Sequence, residues 1–216
     1  MTRAAASTLK SPKRPSDFRK NSALGFINTI ESTWKGHEQF AMWLIHQISP
    51  KTVVDLGFDR GLSTIAFAYQ NKGNVFGIDW FEEGNYAIKS FALDDAFCNI
   101  TNALRFNYVK NIHLIIGPFR DVSKTWNRKI DILHIDWAHT YKSVKQHYEN
   151  WTRYLQPNGV VLIHDVTAYP DEVGRFFREV PLSKAFFPNA EGLGILTANQ
   201  SLLDQIKLKF PEVVCG

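Results

Sequence analysis

A glycine-containing turn after a short apolar run is the feature that most constrains the fold of this chain. Val53, Val54 and Leu56 form the run, which predicts a buried β-strand. Gly57 and Gly61 follow at a spacing that predicts a tight turn leading into a helix. Bare backbone at such a turn can be approached closely by a ligand, so the sequence predicts a strand, turn and helix that border a binding site.

A second apolar run, residues 74–79, ends in Asp79. An acid at this strand end can bind the paired hydroxyls of a ribose, which predicts a nucleoside-containing cofactor. The turn reads G-x-x-x-G, whereas dinucleotide folds use G-x-G-x-x-G and a P-loop needs a following Gly-Lys-Ser/Thr. Asp55 at the entrance of the turn suits a cofactor with a cationic group nearby. An ordinary βα turn without a ligand stays open as the alternative reading of the turn alone.

A later block contains two further apolar runs, which end in Asp136 and Asp165. A helix is predicted between them over residues 140–155, because apolar side chains recur there at three- and four-residue steps. These side chains are Tyr141, Val144, Tyr148, Trp151 and Leu155. Pro157-Asn158-Gly159 predicts a turn into the next strand.

The blocks together resemble the class I S-adenosylmethionine-dependent methyltransferases, in the branch of small-molecule and sugar O-methyltransferases and cephalosporin hydroxylase-like proteins. The resemblance covers residues 34–198. The matching positions are His134, Ile135, Asp136, His139, Tyr141, Leu155, Pro157, Gly159, His164 and Asp165. Trp137-Ala138 stands where the family usually has Gly-Asp, and Asn158 replaces a glycine, so one carboxylate of the family's divalent metal site is missing.

The alternation of predicted strands and helices indicates an α/β fold. We expect a Rossmann-like, doubly wound and mostly parallel sheet with helices on both faces and a C-terminal antiparallel strand pair. Predicted strands cover residues 52–57, 74–79, 113–117, 130–136, a run ending at 165, 184–188 and 193–197. Predicted helices cover residues 34–49, 61–71, 85–108, 140–155 and 170–180. Ligands bind at the carboxyl ends of the strands in this class.

The resemblance implies roles for the residues at these strand ends. Asp55 would receive the methionine ammonium group, directly or through water, and Asp79 would bind the ribose. Trp80 and Phe119 would cover the adenine, although either ring can equally be core. The residues expected to contact S-adenosylmethionine are Asp55, Gly57, Gly61, Ser63, Asp79, Trp80, Phe119 and Asp136.

The expected catalytic residues are His139, Asp136 and His164. His139 is the preferred general base, because the ordinary pKa of histidine lies near neutral. Asp136 and Asp165 are candidates to share a Mg²⁺ ion, which would polarise an acceptor hydroxyl. Without a metal, the two acids would hydrogen-bond the acceptor or orient His139 and His164.

Length and composition fit one enzyme-sized domain of residues 23–216, since 44% of the 216 residues are hydrophobic. Residues 1–22 are expected to form a disordered basic tail. No apolar run is long enough for a membrane span. Cys98 and Cys215 suggest neither a disulfide framework nor a zinc site, so a cytoplasmic location is expected. Because no basic stripe carries interleaved aromatic residues, no nucleic-acid partner is expected.

The sequence leaves the acceptor open as a small molecule or a saccharide, with Trp137 and the residues around Phe26 and Trp34 as candidate pocket walls. A homo-oligomer is also left open. The main alternative function is a catalytically degenerate protein that binds S-adenosylmethionine for regulation or assembly. A nicotinamide-dependent oxidoreductase is a third hypothesis, against which the turn spacing argues.

Overall fold

A computed structural model of the chain describes residues 23–81, 86–137 and 139–215; the predicted tail and Ala138 lie outside this part. The described residues form one eight-stranded sheet with helices around it. The strands are β1 Thr52–Leu56, β2 Asn74–Asp79, β3 Ile112–Ile116, β4 Ile130–Ile135, β5 Leu155–His164, β6 Ser183–Phe187, β7 Leu193–Thr197 and β8 Val214–Cys215. The helices are α1 Ala23–Ile27, α2 Glu38–Ile48, α3 Leu62–Ala68, α4 Tyr86–Arg105, α5 Phe119–Thr125, α6 Tyr141–Thr152, α7 Val173–Glu179 and α8 Gln200–Lys209.

The strand order is β3-β2-β1-β4-β5-β7-β6-β8. β1 to β5 pair in parallel, whereas β7 pairs antiparallel with both β5 and β6, and β8 pairs antiparallel with β6. This arrangement confirms the predicted fold class. The strand order reverses between β1 and β4, so the carboxyl ends of these strands border the crevice where ligands bind in open α/β sheets.

Side chains that alternate along the central strands build a hydrophobic core on each face of the sheet. In β1, Val53 packs with α2, α3 and α4 on one face, and Val54 packs with α5, α6 and α7 on the other. Helices therefore cover both faces. No helix within the described ranges is both long enough and apolar enough to cross a membrane.

The segment 155–164 departs from the predicted turn and strand. β5 begins at Leu155, directly after α6, and its pairing with β4 shifts between Ile130 and Ile132. Residues 156–159 lie opposite a single residue of β4, so Pro157-Asn158-Gly159 forms an irregular bulge inside the strand and does not precede it.

The C-terminal region contains two elements that the sequence reading did not predict, α8 and β8. The Asn199 side chain accepts a hydrogen bond from the Leu202 N–H and so caps the start of α8. Leu202, Leu203 and Ile206 then face the core. Their helical spacing after a capping residue was the signal for this helix.

Candidate active site at the carboxyl ends of the strands

Asp55 lies one residue before the end of β1, and its side chain is completely buried. Its Oδ2 atom accepts hydrogen bonds from Ser63 Oγ at 2.7 Å and Thr64 Oγ1 at 2.5 Å. Its Oδ1 atom lies 2.7 Å from Nδ1 of His134. The first turn of α3 is therefore bound to β1 through this carboxylate.

His134 extends this network toward the N-terminal segment. The Trp34 Nε1–H group donates to His134 Nε2 at 3.1 Å. Because an indole can only donate, Nε2 carries the lone pair and the proton of the neutral ring is on Nδ1, which donates to Asp55. The Asp55 carboxylate thus receives three donors from within the protein, as a buried charge requires.

The side chains of Asp55 and Ser63 are thus engaged in hydrogen bonds within the protein, and their contacts with a cofactor stay a prediction. Both side chains are buried, and Ser63 Oγ donates a hydrogen bond to Asp55. The sequence pattern did not reveal this network, because its third member, His134, lies far along the chain. Trp34 was predicted as a pocket wall, but it is 1% exposed and belongs to the core with Phe26.

Both glycines of the turn adopt left-handed backbone conformations, with φ of +86° at Gly57 and +87° at Gly61. A Cβ atom on Gly57 would lie 2.3 Å from the backbone oxygen of Asp136. A Cβ atom on Gly61 would lie 3.0 Å from the Ile100 side chain. The positive φ therefore explains both glycines, and at Gly57 the backbone of Asp136 adds a close contact. The predicted approach of a ligand stays a prediction.

Asp79 ends β2 and is 1% exposed. Its Oδ2 atom accepts a hydrogen bond from the Asp59 N–H at 3.1 Å, and its Oδ1 atom has no hydrogen-bond partner among the described residues. Burial raises the pKa of the Asp79 carboxyl to about 7. A buried oxygen without a partner is costly, so this strand end is suited to a ligand that supplies hydroxyl donors.

A crevice of about 590 Å³ is lined by Trp80, the residue that follows Asp79. It brings together four residues that the sequence reading had singled out, Trp80, Phe119, Trp137 and His139. The Phe119 ring lies 5.6 Å from that of Trp137, measured between centroids. The other residues that line the crevice are Pro118, Arg120, Asp121, Thr140, Ser143, Gln146 and His147. Aromatic walls opposite polar side chains can hold a flat heterocyclic ring.

The polar wall of this crevice comes from α6 and was not predicted. Gln146 and His147 lie three and four residues after Ser143, so both are neighbours of Ser143 on one face of the helix. That spacing was available in the sequence. The apolar stripe of the same helix led the prediction to the core-facing side alone.

His139 lies just before α6, whose start is fixed by a capping box between Thr140 and Ser143. Its side chain is 56% exposed, and Nε2 lies 3.2 Å from Asp165 Oδ2. Its ring stacks on Tyr169 with centroids 4.7 Å apart. The hydrogen bond with Asp165 raises the pKa of His139 above its ordinary value. The predicted base is therefore exposed and oriented by a carboxylate.

His164, the last residue of β5, lies between the two predicted metal ligands. Its Nδ1 atom is 3.0 Å from Asp136 Oδ1 and 3.2 Å from Asp165 Oδ1, and its Nε2 atom donates to the Ala190 carbonyl at 2.9 Å. Burial lowers the pKa of His164, but the two carboxylates outweigh it and raise the pKa to about 10. Both nitrogens carry protons in this arrangement, so His164 does not fit the predicted role in proton transfer.

His37 joins the same cluster and was not predicted. It is completely buried, and its Nε2 atom lies 3.2 Å from the Ala190 carbonyl that also accepts from His164. Burial lowers the pKa of His37 to about 3, and the neighbouring His164 contributes. Ala190 and Glu191 adopt left-handed backbone conformations, with φ of 47° and 65°. Nothing local in the sequence signals this contact, which spans 153 residues.

The donor set at this cluster does not fit Mg²⁺. Single atoms of Asp136, His164 and Asp165 lie within 4.8 Å of one another. Mg²⁺ requires oxygen ligands in near-octahedral geometry, whereas here a protonated imidazole lies between the carboxylates. The predicted metal role of Asp136 and Asp165 is therefore not supported by the geometry.

The sheet order and the acids at its strand ends define a class I S-adenosylmethionine-dependent methyltransferase fold. A family model described as a methyltransferase domain matches residues 54–166, just over half of the chain. The chain belongs to this methyltransferase-domain family, which confirms the predicted superfamily.

The chain is also similar to a longer bacterial protein. The uncharacterized protein y4gI of Sinorhizobium fredii is 30% identical over an alignment of 175 residues, which covers 76% of this chain and 19% of that protein. The chain therefore spans about a fifth of the length of this curated relative.

Solved structures show the same fold. Cofactor-bound Rv0187 from MTB matches with a TM-score of 0.62 and 17% identity, over 82% of this chain and 88% of that one. The O-methyltransferase from Bacillus cereus in complex with SAH matches with a TM-score of 0.60 and 16% identity, over 87% and 92%.

Proposed function

We propose that this chain is a methyltransferase that uses S-adenosylmethionine to methylate a hydroxyl oxygen of a small molecule or saccharide. The observation that carries the proposal is Asp79, whose buried Oδ1 atom has no hydrogen-bond partner among the described residues and whose neighbour Trp80 lines the aromatic crevice. A ribose whose two hydroxyls donate to Asp79 would satisfy that oxygen. The adenine would then lie between Trp80 and Phe119.

Methyl transfer needs little covalent chemistry from the protein, because the sulfonium is already activated. The acceptor oxygen forms a bond to the methyl carbon while the bond from that carbon to sulfur breaks, and S-adenosylhomocysteine leaves. The protein must align the two reactants and receive the proton of the hydroxyl.

His139 is the proposed acceptor of this proton. Its Nε2–H group donates to Asp165, so Nδ1 carries the lone pair of the neutral ring. Asp136, whose side chain is 16% exposed, is proposed to hydrogen-bond the acceptor hydroxyl. Trp137 lines the same crevice and offers an aromatic surface to a sugar face or a phenol.

The proposed working unit is a single domain of residues 23–216 in a reducing cytosol. Cys98 is an exposed free thiol, which fits that compartment.

A catalytically degenerate cofactor-binding protein is the second candidate. The observation in its favour is the ion pair of His164 with Asp136 and Asp165. This ion pair neutralises negative charge that would otherwise bind a divalent metal. Release of S-adenosylhomocysteine during an acceptor screen separates the two candidates, because a degenerate protein binds the cofactor without producing it.

Calorimetric titration with S-adenosylmethionine, S-adenosylhomocysteine and NAD tests the proposal. We expect the first two to bind and NAD to give no heat. Asp79→Asn should weaken cofactor binding roughly 10- to 100-fold, the equivalent of one charged hydrogen bond. Asp171→Asn, on an exposed turn, is the matched control and should bind normally. Unchanged affinity in Asp79→Asn would contradict the proposed ribose site.

A further inference from the structure

We infer that His164 is a built-in cation that occupies the place of a divalent metal between Asp136 and Asp165, so that this chain works without a metal. The inference rests on the proposed function only in assigning the cluster to the acceptor side of a methyl-transfer site. Its test measures metal binding and is independent of turnover.

The hydrogen-bond geometry leaves His164 no lone pair for a metal. Its side chain is 1% exposed, so water does not complete its hydrogen bonds. Nδ1 is directed at the carboxylate oxygens of Asp136 and Asp165, and Nε2 at the carbonyl of Ala190. All three partners accept, and a carbonyl oxygen cannot donate. Each ring nitrogen therefore holds a proton, and the imidazole carries a positive charge.

The backbone holds this arrangement in place from both sides. Asp165 has a left-handed φ of 68°, and its carboxylate contacts the ring of the preceding residue. On the opposite side, the Ala190 carbonyl is held by a second donor, His37 Nε2. A left-handed conformation is uncommon at a non-glycine residue and persists only where the surroundings compensate for it.

His164 offsets negative charge of Asp136 and Asp165 from inside the sheet. Glu191 lies beside Asp165, and burial together with this neighbouring carboxylate raises the pKa of Glu191. A divalent ion would have to displace the Nδ1 hydrogen bonds and find further oxygen ligands. Trp137-Ala138 stands where the resembled family has Gly-Asp, so this chain has one carboxylate fewer beside Asp136.

Titration of the wild-type protein with Mn²⁺, followed by electron paramagnetic resonance, tests the inference. We expect no stoichiometric binding up to ~1 mM, the weak end of the range for divalent sites in proteins. Calorimetry with S-adenosylmethionine on the same sample separates this question from the proposed function, because cofactor binding can fail while the metal result stands. One Mn²⁺ per chain, lost in Asp136→Asn, would overturn the inference.

A gain of binding provides the complementary test. His164→Ala should free the two carboxylates and create a Mn²⁺ site, and adding Asp136→Asn should remove that site again. A folded His164→Ala protein that binds no Mn²⁺ would show that His164 does not take a metal's place.

If His164→Ala does not fold, the wild type still decides the matter. Nitrogen-15 spectra of histidine-labelled protein at neutral pH should show a ring with both nitrogens protonated, which changes in Asp136→Asn. Finding an unprotonated nitrogen on His164 would overturn the inference.

Discussion

Nδ1 of His134 lies 2.7 Å from Oδ1 of Asp55, and both side chains are completely buried. The two residues are also direct partners in the parallel register of β1 and β4. Their hydrogen bond therefore joins the two strands at the point where the strand order reverses. It holds β1 and β4 together one residue before β1 ends.

Asp55→Asn should therefore act on stability. It places an amide among three donors, and we expect the free energy of unfolding to fall by about 2–4 kcal/mol, measured by urea denaturation. Trp34→Phe removes only the outer hydrogen bond of the same network and should cost about 1–2 kcal/mol. Normal stability in Asp55→Asn, combined with lost cofactor affinity, would favour a direct contact with the cofactor instead.

The two turn glycines offer a matched comparison, because their φ angles are nearly equal. Gly61→Ala should cost about 1–2 kcal/mol of unfolding free energy from backbone strain, since the Ile100 side chain can shift. Gly57→Ala should cost clearly more, because its methyl group would meet the fixed carbonyl of Asp136 at 2.3 Å. Thermal unfolding of the two variants measures the difference. Equal losses of unfolding free energy in the two variants would show that the backbone of Asp136, just after β4, does not restrict Gly57.

Asp79 predicts a pH dependence of stability. Its pKa is raised from the model-peptide value of about 3.9 to about 7, so between these values the folded state holds a proton that the unfolded state has lost. Stability from this group is therefore complete at low pH and declines as the pH rises from about 4 to about 7, by a few kcal/mol at most.

Urea unfolding at several pH values checks this effect as a difference between variants. In Asp79→Asn, the free energy of unfolding should no longer fall between about pH 4 and pH 7. Without cofactor, this variant should therefore be more stable than wild type at neutral pH. Asp171→Asn should follow the wild-type curve. An Asp79→Asn curve parallel to wild type would mean that the carboxyl is ionised throughout.

His139→Ala should lower kcat by roughly 10²–10⁴-fold, the usual contribution of a general base, and leave affinity for S-adenosylmethionine unchanged. Because its hydrogen bond to Asp165 raises the pKa of His139, the wild-type rate should rise with pH through a midpoint above about 6.5. His46→Ala, an exposed histidine on α2, serves as the control. Full activity in His139→Ala would exclude it as the base.

Periodicity and strand-end acids were enough to predict the parallel half of the fold, because they are local properties of the sequence. The bulge at Pro157-Asn158-Gly159 was missed, since its local turn signal is overridden by the pairing of Leu155 with Ile130. Asp55 also has a partner that no local pattern reveals, because His134 lies on another strand. Its expected contact with the cofactor stays a prediction.

In the candidate site, too, local features could be predicted from the sequence and long-range contacts could not. The crevice residues Trp80, Phe119 and His139 could be found from their positions after strand ends. The protonation of His164 could not, because it depends on the Ala190 carbonyl and on a carboxylate 28 residues away. Charge state follows from the surroundings of a side chain more than from its type.

Trp34 and His37 both precede residue 54, where the recognised methyltransferase region begins. Trp34 nevertheless donates a hydrogen bond to His134 in β4. His37 contacts the Ala190 carbonyl, which accepts a hydrogen bond from His164 at the end of β5. The smallest fragment able to retain an intact reaction centre must therefore start upstream of Trp34 and continue past Ala190. A fragment cut to the recognised region would leave both central histidines without one of their supports.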